Sequence, residues 1–454
     1  MYIDLSIITL FLIANLIIGY LSSKKILSFE HFSVGHRSFS SFLIFCTLSA
    51  TFIGGGYTIG NAGKVYSGGL IYSFALLGFS LKEILVASFI APRMDKYRDC
   101  NSVGDIIEKT YGLNAKIFTG ILSLIVCGGI MGAQVGALSA VINTTIPINP
   151  TIGTLIAFTV LLVYASLGGM RAVVFTDAFQ FFVLIIGIPL TFYIGLRHVG
   201  GWEHVVATVP HNYLYFLTTP QSTAFFVLMF ITFIFGEALV PPYVQRLFMA
   251  ESAHQTFKGT LASALVSIPV FLICGGIGLV AYTYNQQIDP NNAFPLIVRD
   301  LLPIGVRGFV IAALLSIILS SAAGFLNAAS IAFVNDIVKP FSKNPEKTNF
   351  LKMARISTLL VGIISIGFAL TIENVLDILL AAYNFWSPII IVPLVAGILG
   401  AKGDSKRFFV AAASGVIGTL IWEKVLNSPL DLSPIIFGLA CNLLAFWSQT
   451  TRFK

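Results

Sequence analysis

The sequence has few charged residues for its length. Asp, Glu, Lys and Arg make up 10% of its 454 residues, hydrophobic residues make up 56%, and the mean hydropathy is +0.89. A soluble fold of this size needs more polar surface than this. The composition therefore predicts an all-α polytopic membrane protein, located in the plasma (inner) membrane. The formal charge of +7 is explained by where the basic residues lie, not by a nucleic-acid partner.

Motifs of enzymes and of disulfide-stabilised proteins are also missing. The sequence contains no G-x-S-x-G elbow, no phosphate-binding loop and no pair of metal-spaced histidines. Its five cysteines are scattered, without metal-ligand spacing or a disulfide pattern. The first apolar run, 2–21, has no basic region before it, so we interpret it as a retained helix and not as a cleaved signal peptide. These absences predict that the protein is not an enzyme.

About thirteen apolar stretches are long enough to cross a bilayer as helices. They lie near 2–21, 42–66, 70–92, 117–141, 151–168, 171–196, 222–245, 259–284, 306–333, 354–372, 374–399, 407–423 and 433–449. One set of loops, which includes the segments with Arg171 and Arg246, carries 21 basic residues, and the opposite set carries four. The positive-inside rule then predicts an external N-terminus and a cytoplasmic C-terminus.

The second of these stretches contains three consecutive glycines, Gly54 to Gly56, near its middle. Glycine disfavours a continuous helix, and lipid offers no water to the backbone groups that a break releases. The pattern predicts an interrupted helix whose free carbonyl oxygens lie near the bilayer midplane. Such breaks are a recurrent way to hold a sodium ion beside a solute.

A second interruption is predicted at Pro241-Pro242, in the stretch at 222–245. Two prolines remove two backbone donors and clash with the preceding turn. If the leading helix (1–22) is set aside, the two breaks fall in corresponding positions of two five-helix repeats, 41–200 and 221–400, and two more helices follow in 405–454. Broken helices in corresponding halves indicate an inverted-repeat transporter with its site between them. The apolar periodicity of the outward segment 285–305 indicates a short helix on the outer face, as a candidate lid.

Three groups of residues resemble the sodium/solute symporter family, which includes sodium-coupled sugar, proline, sialic acid and choline transporters. They are 50–57 (ATFIGGGY), 168–180 (GGMRAVVFTDAFQ), and 319–323 (LSSAA) with 327–330 (NAAS) and 335–337 (NDI). The resemblance implies a LeuT-like fold of two inverted five-helix repeats, with Na⁺ as the coupling ion.

The resemblance also implies a sodium site. Its ligands would be carbonyl and hydroxyl oxygens, which suit a hard cation and still permit release. They are the carbonyls of Ala50, Ile53 and Ile317 and the hydroxyls of Ser320 and Ser321. The alternative for both serines is a hydrogen bond back to their own helix, one turn earlier.

Thr176 and Asp177 are expected near the inner ion path or a second sodium site, again from the resemblance. A carboxylate at that depth is costly without a cation. The alternative is that Asp177 occupies a favourable position near a helix N-terminus and pairs with Arg171.

The expected solute site lies between the two breaks. Its candidate residues are Phe52, Gly55, Tyr57, Lys82, Gln134, Glu237, Tyr383 and Trp386. Ordinary helix packing is the alternative for the aromatic residues. Glu237 could meet a solute ammonium, pair with Lys82 or Lys64, or stay protonated. Lys82 and Glu83 are sequence neighbours that point about 100° apart on a helix, so their pairing is not assumed.

The first motif resembles the choline branch, but that branch has tryptophan in place of Phe52, and Ile130 and Val240 stand where other cage aromatics are expected. Ala323 also departs from relatives that have aspartate. We therefore predict a sodium-coupled symporter that imports a small polar organic solute by alternating access, with solute and lipid as its partners. The alternative is a proton-coupled carrier or a transporter-like sensor of the same fold. No oligomeric state is predicted.

Overall fold

The computed structural model describes residues 2–369, 375–428 and 433–449, and the side chains of residues 368–384 lie outside this description. The regular secondary structure of the described residues is helical, apart from an isolated bridge between Phe39 and Ala250. The helices are α1 (Tyr2–Ser23), α2 (Phe29–Val34), α3 (Ser41–Phe52), α4 (Asn61–Gly68), α5 (Ile71–Leu85), α6 (Val103–Tyr111), α7 (Leu113–Thr145), α8 (Pro150–His198), α9 (Trp202–Thr208), α10 (His211–Leu214), α11 (Pro220–Phe235), α12 (Pro241–Phe248), α13 (Ala253–Tyr284), α14 (Ala293–Leu301), α15 (Val306–Ile331), α16 (Phe350–Ala369), α17 (Val375–Ile398), α18 (Ser405–Leu420) and α19 (Pro434–Ser448).

Both predicted helix interruptions are present. Helix α3 ends at Phe52, and the chain resumes in a π-helical turn, Gly56–Gly60, that leads into α4 at an angle of 57°. Helices α11 and α12 are separated by residues 236–240, where Leu239 has a φ of 48°. The prediction of two broken helices is confirmed.

The stretches predicted at 151–168 and 171–196 form the two parts of α8, which changes direction at Gly169. Gly169 has a φ of 49° and a ψ of −144°. A Cβ atom there would lie 2.5 Å from the carbonyl oxygen of Phe32, so glycine is required by both conformation and space.

Helix α15 lies at the centre of the bundle, and nearly all its residues are buried. It packs against α8, α7, α1 and α3. A Cβ atom on Gly187 of α8 would lie 2.5 Å from the Ala313 side chain of α15, so small residues allow these two helices to approach closely. This position places the serines of α15 beside both α3 and α8.

Eight described helical segments are long and apolar enough to span a membrane, or nine if the bent pair of α3 and α4 counts as one span. Three shorter apolar helices lie at Pro220–Phe235, Phe385–Ile398 and Pro434–Ser448. The short helix predicted on the outer face is present as α14. One side of it packs into the bundle, where Phe294, Ile297 and Val298 are fully buried. The count of thirteen crossings, the sides of the termini and the repeat boundaries stay predictions.

Candidate functional site

The glycine break leaves main-chain oxygens without helical partners. Ile53 has φ −78° and ψ 54°, outside the helical range, and its amide donates the last bond of α3 to Ser49. Within residues 2–369, no main-chain amide donates to the carbonyl oxygens of Ala50 or Ile53. Main-chain hydrogen bonding resumes at the Gly54 carbonyl, which accepts from the amides of Tyr57 and Thr58. Two of the predicted sodium ligands are therefore uncommitted to the backbone ladder.

Ser320 and Ser321 of α15 face this break. The Ser321 hydroxyl donates to the carbonyl of Thr51 at 3.1 Å, and the Ser320 hydroxyl donates to Oδ1 of Asp177 at 2.6 Å. Ser316, one turn earlier, instead donates to Ala312 of its own helix. The alternative that both serines bond back to their own helix is wrong. Ile317 lies on the same helix, between Ser316 and this pair.

Asp177 belongs to a buried ion pair that links four helices. Its Oδ2 accepts from the Thr47 hydroxyl of α3 at 2.5 Å and from a guanidinium nitrogen of Arg246, on α12, at 2.9 Å. Both charged side chains have 0% exposure. Arg246 also donates to Thr47 at 2.9 Å and to the Pro242 carbonyl at 2.9 Å. With Ser320 as the fourth member, the network joins α3, α8, α12 and α15.

The alternative that Asp177 pairs with Arg171 is wrong. Arg171 lies with its guanidinium carbon 5.3 Å from the centre of the Phe175 ring, whereas Asp177 pairs with Arg246. Sequence reasoning missed Arg246 because it counted this residue among the loop bases. The signal that could have found it is its place one turn after Pro242, on the helix that restarts after the proline break. Thr176 donates to Ala172 of its own helix at 2.9 Å.

The proline break presents a carboxylate. Glu237 accepts a short hydrogen bond from the Tyr57 hydroxyl and another from the Tyr243 hydroxyl at 2.6 Å. These tyrosines come from opposite breaks, since Tyr57 follows the glycines and Tyr243 follows the prolines. Among the described residues, the Glu237 carboxylate forms no ion pair with Lys82 or Lys64, so that alternative is not realised.

Side chains donate to three consecutive carbonyl groups of the proline break, those of residues 236–238. The indole nitrogen of Trp386 donates to Ala238 at 3.2 Å, and the neighbouring Ser387 hydroxyl donates to Gly236 at 2.5 Å. The Lys82 ammonium donates to the Glu237 carbonyl at 3.0 Å. Trp386 is fully buried, so its place in the structure is that of a support for the break.

Lys82 forms an ion pair with its sequence neighbour Glu83, at 2.8 Å. The pairing that we did not assume is therefore present, because the long lysine side chain turns back to reach the carboxylate. Both residues are 3% exposed.

The remaining solute candidates lie around the same space. The Phe52 ring is 4.6 Å from that of Tyr243. A Cβ atom on Gly55 would lie 3.5 Å from Oε1 of Gln134, and this buried oxygen has no hydrogen-bond partner within the described chain. Tyr383 belongs to α17, but its side chain is outside the described part. The structure thus brings Phe52, Gly55, Tyr57, Lys82, Gln134, Glu237 and Trp386 to the region between the breaks.

The sequence model of the Sodium:solute symporter family matches residues 32–413. The chain belongs to this family. Its members are transporters that use Na⁺ as the coupling ion, which confirms that the protein is not an enzyme and that it is a multi-pass membrane protein carrying a small-molecule solute.

Curated relatives of this symporter differ in the solutes that they are named for. It is 26% identical to the human high affinity choline transporter 1 over 438 residues, which cover 90% of this chain and 73% of the relative. It is 24% identical to the sodium/sialic acid symporter NanT of Aliivibrio fischeri over 366 residues, covering 76% and 72%. It is 22% identical to the sodium/glucose cotransporter of Vibrio parahaemolyticus over 477 residues, covering 94% and 86%.

Solved structures show the same fold. A Na⁺-coupled sialic acid symporter in a substrate-bound outward-open state superposes with a TM-score of 0.87 at 19% identity, covering 99% of this symporter and 98% of that chain. A nucleobase-cation-symport-1 family transporter in a closed conformation gives 0.62 at 14% identity, covering 93% and 95%. The predicted LeuT-like arrangement of helices is thereby confirmed.

Proposed function

We propose that this symporter imports a small polar organic solute by alternating access, driven by sodium bound at the glycine break. The observation that carries the proposal is the hydroxyl of Ser321 reaching the Thr51 carbonyl across the break, with Ser320 beside it. This contact joins the broken helix α3 to the continuous helix α15. It places the serine hydroxyl oxygen next to a main-chain carbonyl oxygen inside the bundle.

The proposed sodium ligands are the carbonyls of Ala50, Ile53 and Ile317 and the hydroxyls of Ser320 and Ser321. Neutral oxygens of these kinds suit a hard monovalent cation. Each serine hydroxyl has one hydrogen and two lone pairs. Because Ser320 gives its hydrogen to Asp177 and Ser321 gives its hydrogen to Thr51, their lone pairs are available to a cation.

Asp177 orients the proposed ligand Ser320 by accepting its hydroxyl hydrogen, and Arg246 neutralises the charge of Asp177. Asp177 accepts from the proposed sodium ligand Ser320, and this supports the predicted place of Asp177 and its neighbour Thr176 along the inner ion path. Sodium binding favours the outward-open arrangement, the solute joins, and the gradient and membrane potential bias release to the inside.

Transport by reconstituted protein tests this proposal. Candidate solutes come from a thermal-shift screen of the purified chain against small metabolites in sodium chloride, with potassium chloride as the matched control. Uptake of a hit into proteoliposomes is then measured under an inward sodium, potassium or proton gradient. We expect uptake with the sodium gradient alone. Uptake driven by protons without sodium would instead establish the proton-coupled alternative, and no sodium effect in either assay would reject the proposal.

A further inference from the structure

Three aromatic rings surround the ammonium group of Lys82. The Lys82 Nζ atom lies 3.5 Å from the centre of the Phe79 ring, 5.4 Å from that of Tyr243 and 6.0 Å from that of Phe52. Phe52 comes from the end of α3, Phe79 from α5 and Tyr243 from α12. We call these three rings the aromatic cage. It is built from both broken helices and α5, in the region where the solute is expected.

The cage has the chemistry of a site for an organic cation. Aromatic faces attract ammonium groups, and such cages bind quaternary ammonium ligands. The Glu83 carboxylate is 2.8 Å from Nζ, and the Glu237 carbonyl accepts from it at 3.0 Å. Lys82 is 3% exposed. All these partners surround the chain's own ammonium group.

We propose that Lys82 is the resident cation of the aromatic cage, so that this symporter excludes ammonium solutes from a site that would otherwise bind them. The proposal rests on the proposed function only in placing the cage on the solute path. The cage needs a cation, because without one the buried Glu83 carboxylate is left uncompensated. Lys82 fills that need and occupies the space. The solute of this chain is therefore one that binds beside the cage without an ammonium group inside it.

Truncation of Lys82 tests this directly. Lys82→Ala removes the ammonium and most of the side chain, and so opens a space bounded by the rings and Glu83. Tetramethylammonium, which is compact and has no N–H donor, is the probe. We expect no saturable binding to the original purified chain by titration calorimetry or thermal shift. We expect saturable binding to the Lys82→Ala chain, with half-saturation at least tenfold below the highest concentration tested on the original chain.

Two further variants separate the cage from a general change of structure. Lys82→Met removes the charge but keeps the space filled, so it should gain no tetramethylammonium binding. Lys82→Ala combined with Phe79→Ala removes the ring nearest to the ammonium and should lose the gain. If Lys82→Ala is recovered from membranes only when tetramethylammonium is present, that rescue also supports the proposal.

Three results would overturn it. They are saturable binding of tetramethylammonium to the original chain as tight as to Lys82→Ala, a folded Lys82→Ala chain with no gain, or an unstable one that tetramethylammonium does not rescue. The sodium-dependent thermal shift of the original chain is measured alongside. Its absence would reject the sodium proposal and leave the cage result standing, so the two failures are distinguishable.

Discussion

The two helix breaks differ in what they offer. At the glycine break, the carbonyls of Ala50 and Ile53 accept no main-chain amide within residues 2–369. At the proline break, the carbonyls of Gly236, Glu237 and Ala238 all accept side-chain donors. A break therefore does not by itself create an ion site. At the glycine break, by contrast, the carbonyls without an amide donor are two of the proposed sodium ligands.

The residue types explain this difference. Glycines leave room for Ser321 of α15 to approach, since a Cβ atom on Gly54 would lie 2.8 Å from its hydroxyl oxygen. At the proline break, the Glu237 side chain instead accepts from two tyrosines, and three carbonyls accept from side chains of α5 and α17. We infer that the glycine break serves sodium and that the proline break serves the solute.

The largest expected effect comes from the ion pair that connects the breaks. Arg246→Met leaves the buried Asp177 carboxylate without its cation, and removal of one partner of such a pair costs about 3–5 kcal/mol. The change is measured as loss of unfolding free energy, or of melting temperature, in detergent. The control is Arg246→Met combined with Asp177→Leu, which should be more stable than Arg246→Met alone. A single variant as stable as the original chain would show that the pair does not hold the breaks together.

An intermediate effect is expected from Gly54→Ala. The new methyl group would overlap the Ser321 hydroxyl, and overpacking of this kind costs about 1–3 kcal/mol. The sodium concentration for half-maximal thermal stabilisation should rise about tenfold.

Gly55→Ala is the matched control for Gly54→Ala. Its Cβ atom would meet neighbours at 3.5 Å or more, which is ordinary contact, so sodium affinity should change little. Equal effects of the two substitutions would contradict the assignment of sodium to the oxygens near Ser321.

The smallest effect is expected at the proline break. Ser387→Ala removes one hydrogen bond to the Gly236 carbonyl and should lower stability by about 1 kcal/mol. Sodium affinity should stay unchanged, because this carbonyl is not a proposed ligand. A marked loss of sodium affinity in this variant would contradict the inference that the glycine break, and not the proline break, serves sodium.

Much of the fold was predictable because its signals are local. Three glycines and two prolines identify the broken helices, and long apolar stretches identify the other helices. Long-range pairing was harder to predict. From the sequence, Arg246 resembles a basic loop residue because it follows an apolar stretch. Its burial depends on Asp177, which is 69 residues away in the chain. The Lys82–Glu83 pair stayed open for another reason, since backbone direction alone does not fix where a flexible side chain ends.

Sodium stabilisation of the chain with Ser320→Ala and Ser321→Ala tests the central claim most directly. Removing a hydroxyl that contacts a charged group costs about 1.5–3 kcal/mol, so the half-maximal sodium concentration should rise about 100-fold or more for the pair. Ser316→Ala is the control, because within the described residues that hydroxyl donates to Ala312 of its own helix and its loss should change sodium affinity less than about twofold. An unchanged sodium titration in the double variant would contradict the account.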